Sequence, residues 1–194
     1  MLVLGAVMFP LTATTAKIKD RMSEDAPHTL DGMAFMRTSE YPDEGGVVDL
    51  SEDYRAIRWM QENIQGTPVI VEANTPLYRW GSRFSIYTGL PSVLGWDWHQ
   101  TQQRGFSPVS EIASRRDAIQ LFYLMDDEQL AREFLRQYHV EYIVVGQLER
   151  NYYPGIGLDK FERLNGDMWQ EVYRDGQTVI YKVSDSVTGL GGNR

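Results

Sequence analysis

Two tryptophans, an acid, a histidine, three glutamines and an arginine fall within nine residues, Trp96-Asp97-Trp98-His99-Gln100-Thr101-Gln102-Gln103-Arg104. A glycine-proline punctuation and a short apolar run, Gly89-Leu90-Pro91-Ser92-Val93-Leu94-Gly95, lead into them. The stretch is too polar for a core and too aromatic for an ordinary solvated loop. Tryptophan and arginine bring large area or a forked donor at modest entropic cost, so the pattern reads as a recognition loop. The competing reading makes Trp96 and Trp98 satellite core residues covered by His99 and the glutamines. Nucleophilic chemistry finds little support: there is no cysteine, no Gly-x-Ser-x-Gly elbow, and no serine at a motif spacing from His99. The three histidines, His28, His99 and His139, are scattered without a His-x-x-x-His pair, so no metal is expected, and no cofactor.

Further polar groups converge on the same end of the expected fold. Pro68-Val69-Ile70-Val71-Glu72-Ala73 reads as a buried strand with Glu72 at its carboxyl end, where ligands collect in open α/β sheets. A capping role for the Glu72 carboxylate is the equal alternative. Arg79 and Arg83 are four apart, which on a helix puts both on one face, able to clasp an anion or pair with acids such as Glu72. Glu149 follows the strand Val140–Val145 and would share that rim. The expected binding surface is therefore Glu72, Arg79, Arg83, Trp96, Asp97, His99, Arg104 and Glu149. Tryptophan faces suit the apolar faces of sugars, arginine forks suit phosphate oxygens, and carboxylates suit sugar hydroxyls.

The elements that must position these groups are legible as alternating helix and strand. Ser51 opens a helix, with Glu52 and Asp53 in its first turn; Tyr54, Ile57, Met60 and Ile64 mark one face, and Gly66 the stop. A second helix enters at Ser107-Pro108, with Val109, Ile112, Arg116, Ile119 and Tyr123 in period, and a third at Asp126 with Gln129 as in a capping box. Val140–Val145 is the clearest strand, and Asp175-Gly176 between Trp169–Arg174 and Gln177–Val183 is a hairpin signal. Leu30–Met36 suggests a helical turn, Tyr41–Gly46 a loop, Val93-Leu94 a brief strand, and Leu158–Leu164 a short helix. The twice-repeated helix-strand unit followed by a hairpin predicts a single α/β domain. Its mixed sheet would have central parallel strands, Val69–Glu72 and Val140–Val145, flanked by helices, with the C-terminal β-hairpin at the edge.

At 194 residues and 42% hydrophobic, the chain can bury one sizeable core. Nineteen basic against 27 acidic residues, net −8, with no basic run beyond Arg115-Arg116 and Lys17-Ile18-Lys19, exclude a nucleic-acid partner. Residues 1–9 are apolar or small and too few to span a bilayer, which takes about 20. No basic residue precedes them as in a signal peptide. The expected division is thus the end of a transmembrane or membrane-proximal helix over 1–22, an α/β domain over 23–184, and a flexible glycine-bearing tail over 185–194.

Several ordered stretches together resemble one family. They are Phe9–Thr14, Thr29–Met33, Ala56–Trp59 with Glu62-Asn63, Ser82-Arg83 with Thr88–Pro91, Leu94–Trp96 with His99, and Tyr142–Gly146 before Leu148–Arg150. The pattern is similar to the C-terminal region of DUF2298 (Chlor_Arch_YYY) polytopic membrane proteins, over roughly residues 9–183. That family is in turn similar to GT-C glycosyltransferases, which use polyprenyl-phosphate-linked sugars on the outer face of the membrane. Oligosaccharyltransferases of the class carry a Trp-Trp-Asp-Tyr-Gly motif in an extracytoplasmic domain; Gly95–His99 here displaces the second tryptophan and lacks the Tyr-Gly.

The resemblance implies an extracytoplasmic domain at the cell membrane, without turnover of its own. Its partners would be the transmembrane portion of the same polypeptide and a polyprenyl-phosphate sugar or glycan acceptor. Two other classes remain: a self-contained α/β hydrolase using Asp97 or Glu72 with His99, and a structural docking module.

Overall fold

The computed structural model describes residues 2–21, 27–76, 78–103 and 109–189. The first described element is α1 (Leu2–Arg21), a helix with Pro10 inside it and, among its described side chains over residues 5–20, none in the hydrophobic core. Phe9 is 75% and Leu11 65% exposed. Within it the Thr12 and Thr15 hydroxyls donate to the carbonyls of Met8 and Leu11, both at 2.8 Å, so these two side chains are satisfied by the helix's own backbone. Among the described residues no helix is long and apolar enough to cross a membrane.

A 3₁₀ turn at Ala34–Arg37 leads to an antiparallel hairpin of β1 (Glu40–Asp43) and β2 (Gly46–Asp49). This corrects the loop expected over 41–46; Pro42 is tolerated because a two-stranded ribbon consists of edge strands. Helix α2 (Leu50–Asn63) begins one residue earlier than the Ser51 reading, with Asp49 as cap accepting the Ser51 amide at 2.8 Å. Its buried face is Leu50, Asp53, Ala56, Ile57 and Met60, a helical stripe with one acid in it. Each aliphatic side chain so buried contributes about 1.5–3 kcal/mol, against which Asp53 needs strong partners.

The main sheet has the order β3-β4-β6-β5, formed by β3 (Val69–Val71), β4 (Val140–Val145), β5 (Trp169–Asp175) and β6 (Thr178–Val183). β3 and β4 are parallel, and the β4–β6 and β6–β5 pairs are antiparallel. The mixed single-domain sheet is as expected, but its centre is β4 and β6. β3 lies at an edge, extended only by a bridge from Ile70 to Ser92, which is all that forms of the expected strand at 93–94. The Asp175-Gly176 signal does mark the hairpin turn, with Gly176 at φ +56° and Asp175 opposite Thr178.

Between β3 and β4 run α3 (Arg83–Thr88), α4 (Asp97–Gln103), α5 (Val109–Leu124) and α6 (Glu128–Gln137). The expected Ser107-Pro108 start lies outside the described residues. Asp127, not Asp126, caps α6, accepting the Leu130 amide at 3.0 Å. α5 and α6 meet through stacked Phe122 and Phe134, ring centroids 4.4 Å apart. After β4 come α7 (Gln147–Tyr152), a 3₁₀ turn at Ile156–Leu158 and α8 (Asp159–Arg163). Past β6, α9 (Asp185–Thr188) buries Val187 beside α6, whose Arg136 donates to the Val187 carbonyl at 2.8 Å. The expected flexible tail is therefore a packed helical turn to this point, and residues beyond 189 lie outside the described ones.

Candidate functional site

The carboxyl ends of β3 and β4 hold the expected residues, but at two depths. Glu72, Arg83 and Glu149 are not on a rim: each is at most 2% exposed, and with Asp53 they form a buried ion cluster. Arg83 donates through Nε to Asp53 (2.7 Å), through Nη2 and Nη1 to Glu149 (2.9 and 3.2 Å), and its Nη1 lies 3.6 Å from Glu72. Glu149 also accepts the amides of Ala73 (2.7 Å) and Gly146 (2.8 Å). Glu72 accepts the Phe84 and Ser85 amides at 3.0 and 2.9 Å, the free donors of the first turn of α3, so its role is the capping one. Asp53 takes a further bond from the Trp80 indole at 2.7 Å. The cluster thus ties α2, the end of β3, α3 and α7 into one unit.

Burial governs the ionisation of these acids. Desolvation pushes Glu72 up to about 7 against the pull of Arg83, and raises Asp53 likewise. Glu149 is also penalised by desolvation, yet Arg83 and its two amide donors hold it below the usual carboxylate value. Such a cluster is a structural clamp: removing one partner of a buried ion pair costs about 3–5 kcal/mol because the other is left uncompensated.

Above the clamp lies an open pocket of 280 Å³. Its walls are Tyr41 of β1, Tyr78 and Trp80 of the loop after β3, Tyr87 of α3, and Trp96 ahead of α4; Arg83 underlies it. Trp80 holds Tyr41 and Tyr87, each at 6.1 Å between centroids. Tyr78, Trp96 and His99 form a second edge-to-face group, Tyr78–Trp96 at 5.5 Å and Tyr78–His99 at 6.0 Å. The Trp96 indole donates to the Arg79 carbonyl at 3.3 Å, fixing the ring against the loop. Tyr78 (φ +57°) and Ser82 (φ +61°) hold left-handed backbone within this lip, a conformation costing of order 1–3 kcal/mol each that is concentrated at ligand-handling segments.

The other expected residues divide around this pocket. Arg79 is not on a helix with Arg83, because the left-handed Ser82 precedes the helix start; it lines the mouth and pairs with Asp43 (2.6 Å) and Glu44 (2.5 Å). Asp97 accepts the Trp98 amide at 2.8 Å in the first turn of α4 and sits 3.7 Å from Arg116. Trp98 is 49% exposed and His99 is exposed, so neither is a core residue. Arg104 lies outside the described residues. Among the described residues His99 makes no hydrogen bond to a carboxylate; its neighbours are rings, and the acid–histidine pair of the hydrolase reading does not form.

Sequence reading missed Tyr41, Tyr78, Trp80 and Tyr87 as site residues and Asp53 as a cluster member. The signal for Asp53 was an acid inside the apolar stripe of α2; for the aromatics it was four large rings, Phe84 among them, in the ten residues Tyr78–Tyr87.

Two other depressions are more polar in lining. One of 600 Å³ lies where β3 and β4 begin, beside Thr67, Glu141 and Lys182, and one of 380 Å³ lies between α5 and the end of α6, beside Glu111, Arg115 and Tyr138. Among the described residues no group of acids and histidines is suited to a metal ion.

No family model matches the sequence, and no curated protein matches it. Among solved structures the chain is similar to the C-terminal globular domain of an oligosaccharyltransferase from Archaeoglobus fulgidus. Identity is 13% over 67% of this chain and 95% of that one, with a TM-score of 0.45.

Proposed function

We propose that this chain is a recognition domain of a membrane protein resembling GT-C glycosyltransferases, displayed on the extracytoplasmic face. Its aromatic pocket receives a sugar ring of a glycan acceptor or of a lipid-linked sugar, and catalysis is housed elsewhere in the parent polypeptide. One observation carries the reading: partly exposed Tyr41, Trp80, Tyr87, Tyr78 and Trp96 enclose 280 Å³ at the carboxyl ends of parallel strands. That volume is at the small end of the ~300–1,000 Å³ of small-molecule sites and suits one ring rather than a chain. Aromatic faces bind the C–H faces of a pyranose, and tyrosine hydroxyls at the same site can bond its hydroxyl groups.

The DUF2298 resemblance supports the membrane context, as does α1, whose Val7, Met8, Phe9, Leu11 and Ile18 are exposed and whose Thr12 and Thr15 hydroxyls are already bonded to backbone. In this reading residues 1–22 end a membrane-associated helix and the clamp of Arg83 with its three acids sets the pocket floor.

The test is titration calorimetry of an oligosaccharide panel against the wild type and Trp96→Ala. Saccharide binding lost in the variant, with the unfolding transition retained, is the expected result. Equal binding by both proteins, or none by either, would sink the sugar-pocket reading.

A further inference from the structure

Both arginines that line the pocket are already engaged by acids. Arg79 is held by Asp43 and Glu44, and Arg83 by Asp53, Glu72 and Glu149, so five carboxyl groups attend two guanidinium groups. All three nitrogens of the Arg83 guanidinium point at carboxylates, and both terminal nitrogens of Arg79 do. The acid side retains unused capacity: Asp43 has a side chain with no exposure, and its Oδ2 has no hydrogen-bond partner among the described residues. Even with Asp53 and Glu72 both protonated, one negative charge remains in excess.

The other charged groups near the pocket do not reverse this. Arg37 lies over the Tyr54 ring, and Arg116 is paired with Asp97 and Asp117. Among the described residues, a phosphate or carboxylate entering the pocket would find both guanidinium groups of its lining already held by acids and would face a net negative field.

We propose that the pocket selects a sugar ring without negative charge, either neutral or amino-substituted, and rejects phosphorylated sugars and uronates. This rests on the reading of the pocket as a sugar site and narrows it: the domain reads the glycan end of its ligand, and the lipid phosphate of a donor lies outside the pocket. A protonated amine is favoured by the net negative field, to which exposed Glu44 beside Arg79 contributes, while a neutral hexose relies on the rings alone.

The test is a matched series on the intact chain: methyl glycosides of glucose, mannose and galactose, their 2-amino counterparts, their uronates and their 1-phosphates, each titrated at low salt and at about 0.5 M salt. The neutral and amino members should bind at least about tenfold more tightly than the anionic ones at low salt, with the gap narrowing at high salt as the field is screened. Glu44→Gln removes one of the two carboxylate charges that hold Arg79, at an exposed position, and should raise affinity for the 1-phosphate several-fold, leaving the neutral glycoside unchanged. Anionic members binding as tightly as neutral ones, or a Glu44→Gln variant with the same preference as wild type, would overturn the charge selection and leave the sugar pocket standing. Binding by no member of any charge overturns both.

Discussion

At the scale of single residues, two groups that look alike in sequence do different work. Arg83 is a buried hub, so Arg83→Met should cost about 3–5 kcal/mol in urea unfolding, since it strands Asp53, Glu72 and Glu149. Trp96 is partly exposed, and Trp96→Ala should instead lower saccharide affinity by about 2 kcal/mol with the smaller stability change of a residue outside the core. A third residue-scale outcome concerns pH. Glu72 has a folded pKa of about 7 against an ordinary 4.5, so the folded state binds the extra proton. The stability this group contributes is full below pH 4.5 and is lost as pH rises to about 7, by up to roughly 3 kcal/mol. Asp53, also raised, acts in the same sense; Glu149, held low, acts in the opposite sense and below this window. Melting temperature followed from pH 4.5 to 8 should therefore fall less steeply in Glu72→Gln than in the wild type. The residue types of the cluster were legible in sequence, but not their depth. Burial of Arg83 and Glu149 depends on α7 folding back over the end of β3, a contact between segments 66 residues apart that no local spacing encodes.

At the scale of elements, legibility follows periodicity. α2 and β4 were readable because a helical stripe and a β-branched run each carry their own signal. The β1–β2 hairpin was not, since Pro42, Gly45 and Gly46 mimic a loop, and Tyr41 was lost from the site with it. The helix expected to align Arg79 with Arg83 failed because the Gly81-Ser82 corner intervenes: a Cβ on Gly81 would lie 2.3 Å from the Thr75 hydroxyl, and Ser82 is left-handed. Close approaches of this kind also fix how elements stack. Gly157 packs so tightly on the end of α5 that a Cβ there would lie 2.2 Å from the Leu124 carbonyl oxygen, whereas Gly32 has open space. Gly157→Ala should lower stability by about 1–3 kcal/mol, and Gly32→Ala by less than about 0.5, in parallel thermal scans.

At the scale of the whole molecule, an acidic α/β body carries one helix whose described side chains, over residues 5–20, are absent from its core. Residues 1–21 should accordingly be required for association with phosphatidylcholine vesicles, while a chain beginning at residue 27 should stay in solution and unfold with the same transition. Flotation of the short chain with vesicles would remove α1 from the membrane role. The central claim is the aromatic pocket, and the five tryptophans report on it directly. Trp80 and Trp96 line the pocket, while Trp169 is buried in the core with its indole bonded to the Phe161 carbonyl and Trp59 packs on Tyr173. In a nitrogen–proton correlation spectrum, titration with a neutral oligosaccharide that binds should move the indole signals of Trp80 and Trp96 and leave those of Trp59 and Trp169 in place. Shifts confined to Trp59, Trp98 or Trp169, or no indole shift during demonstrable binding, would contradict the account.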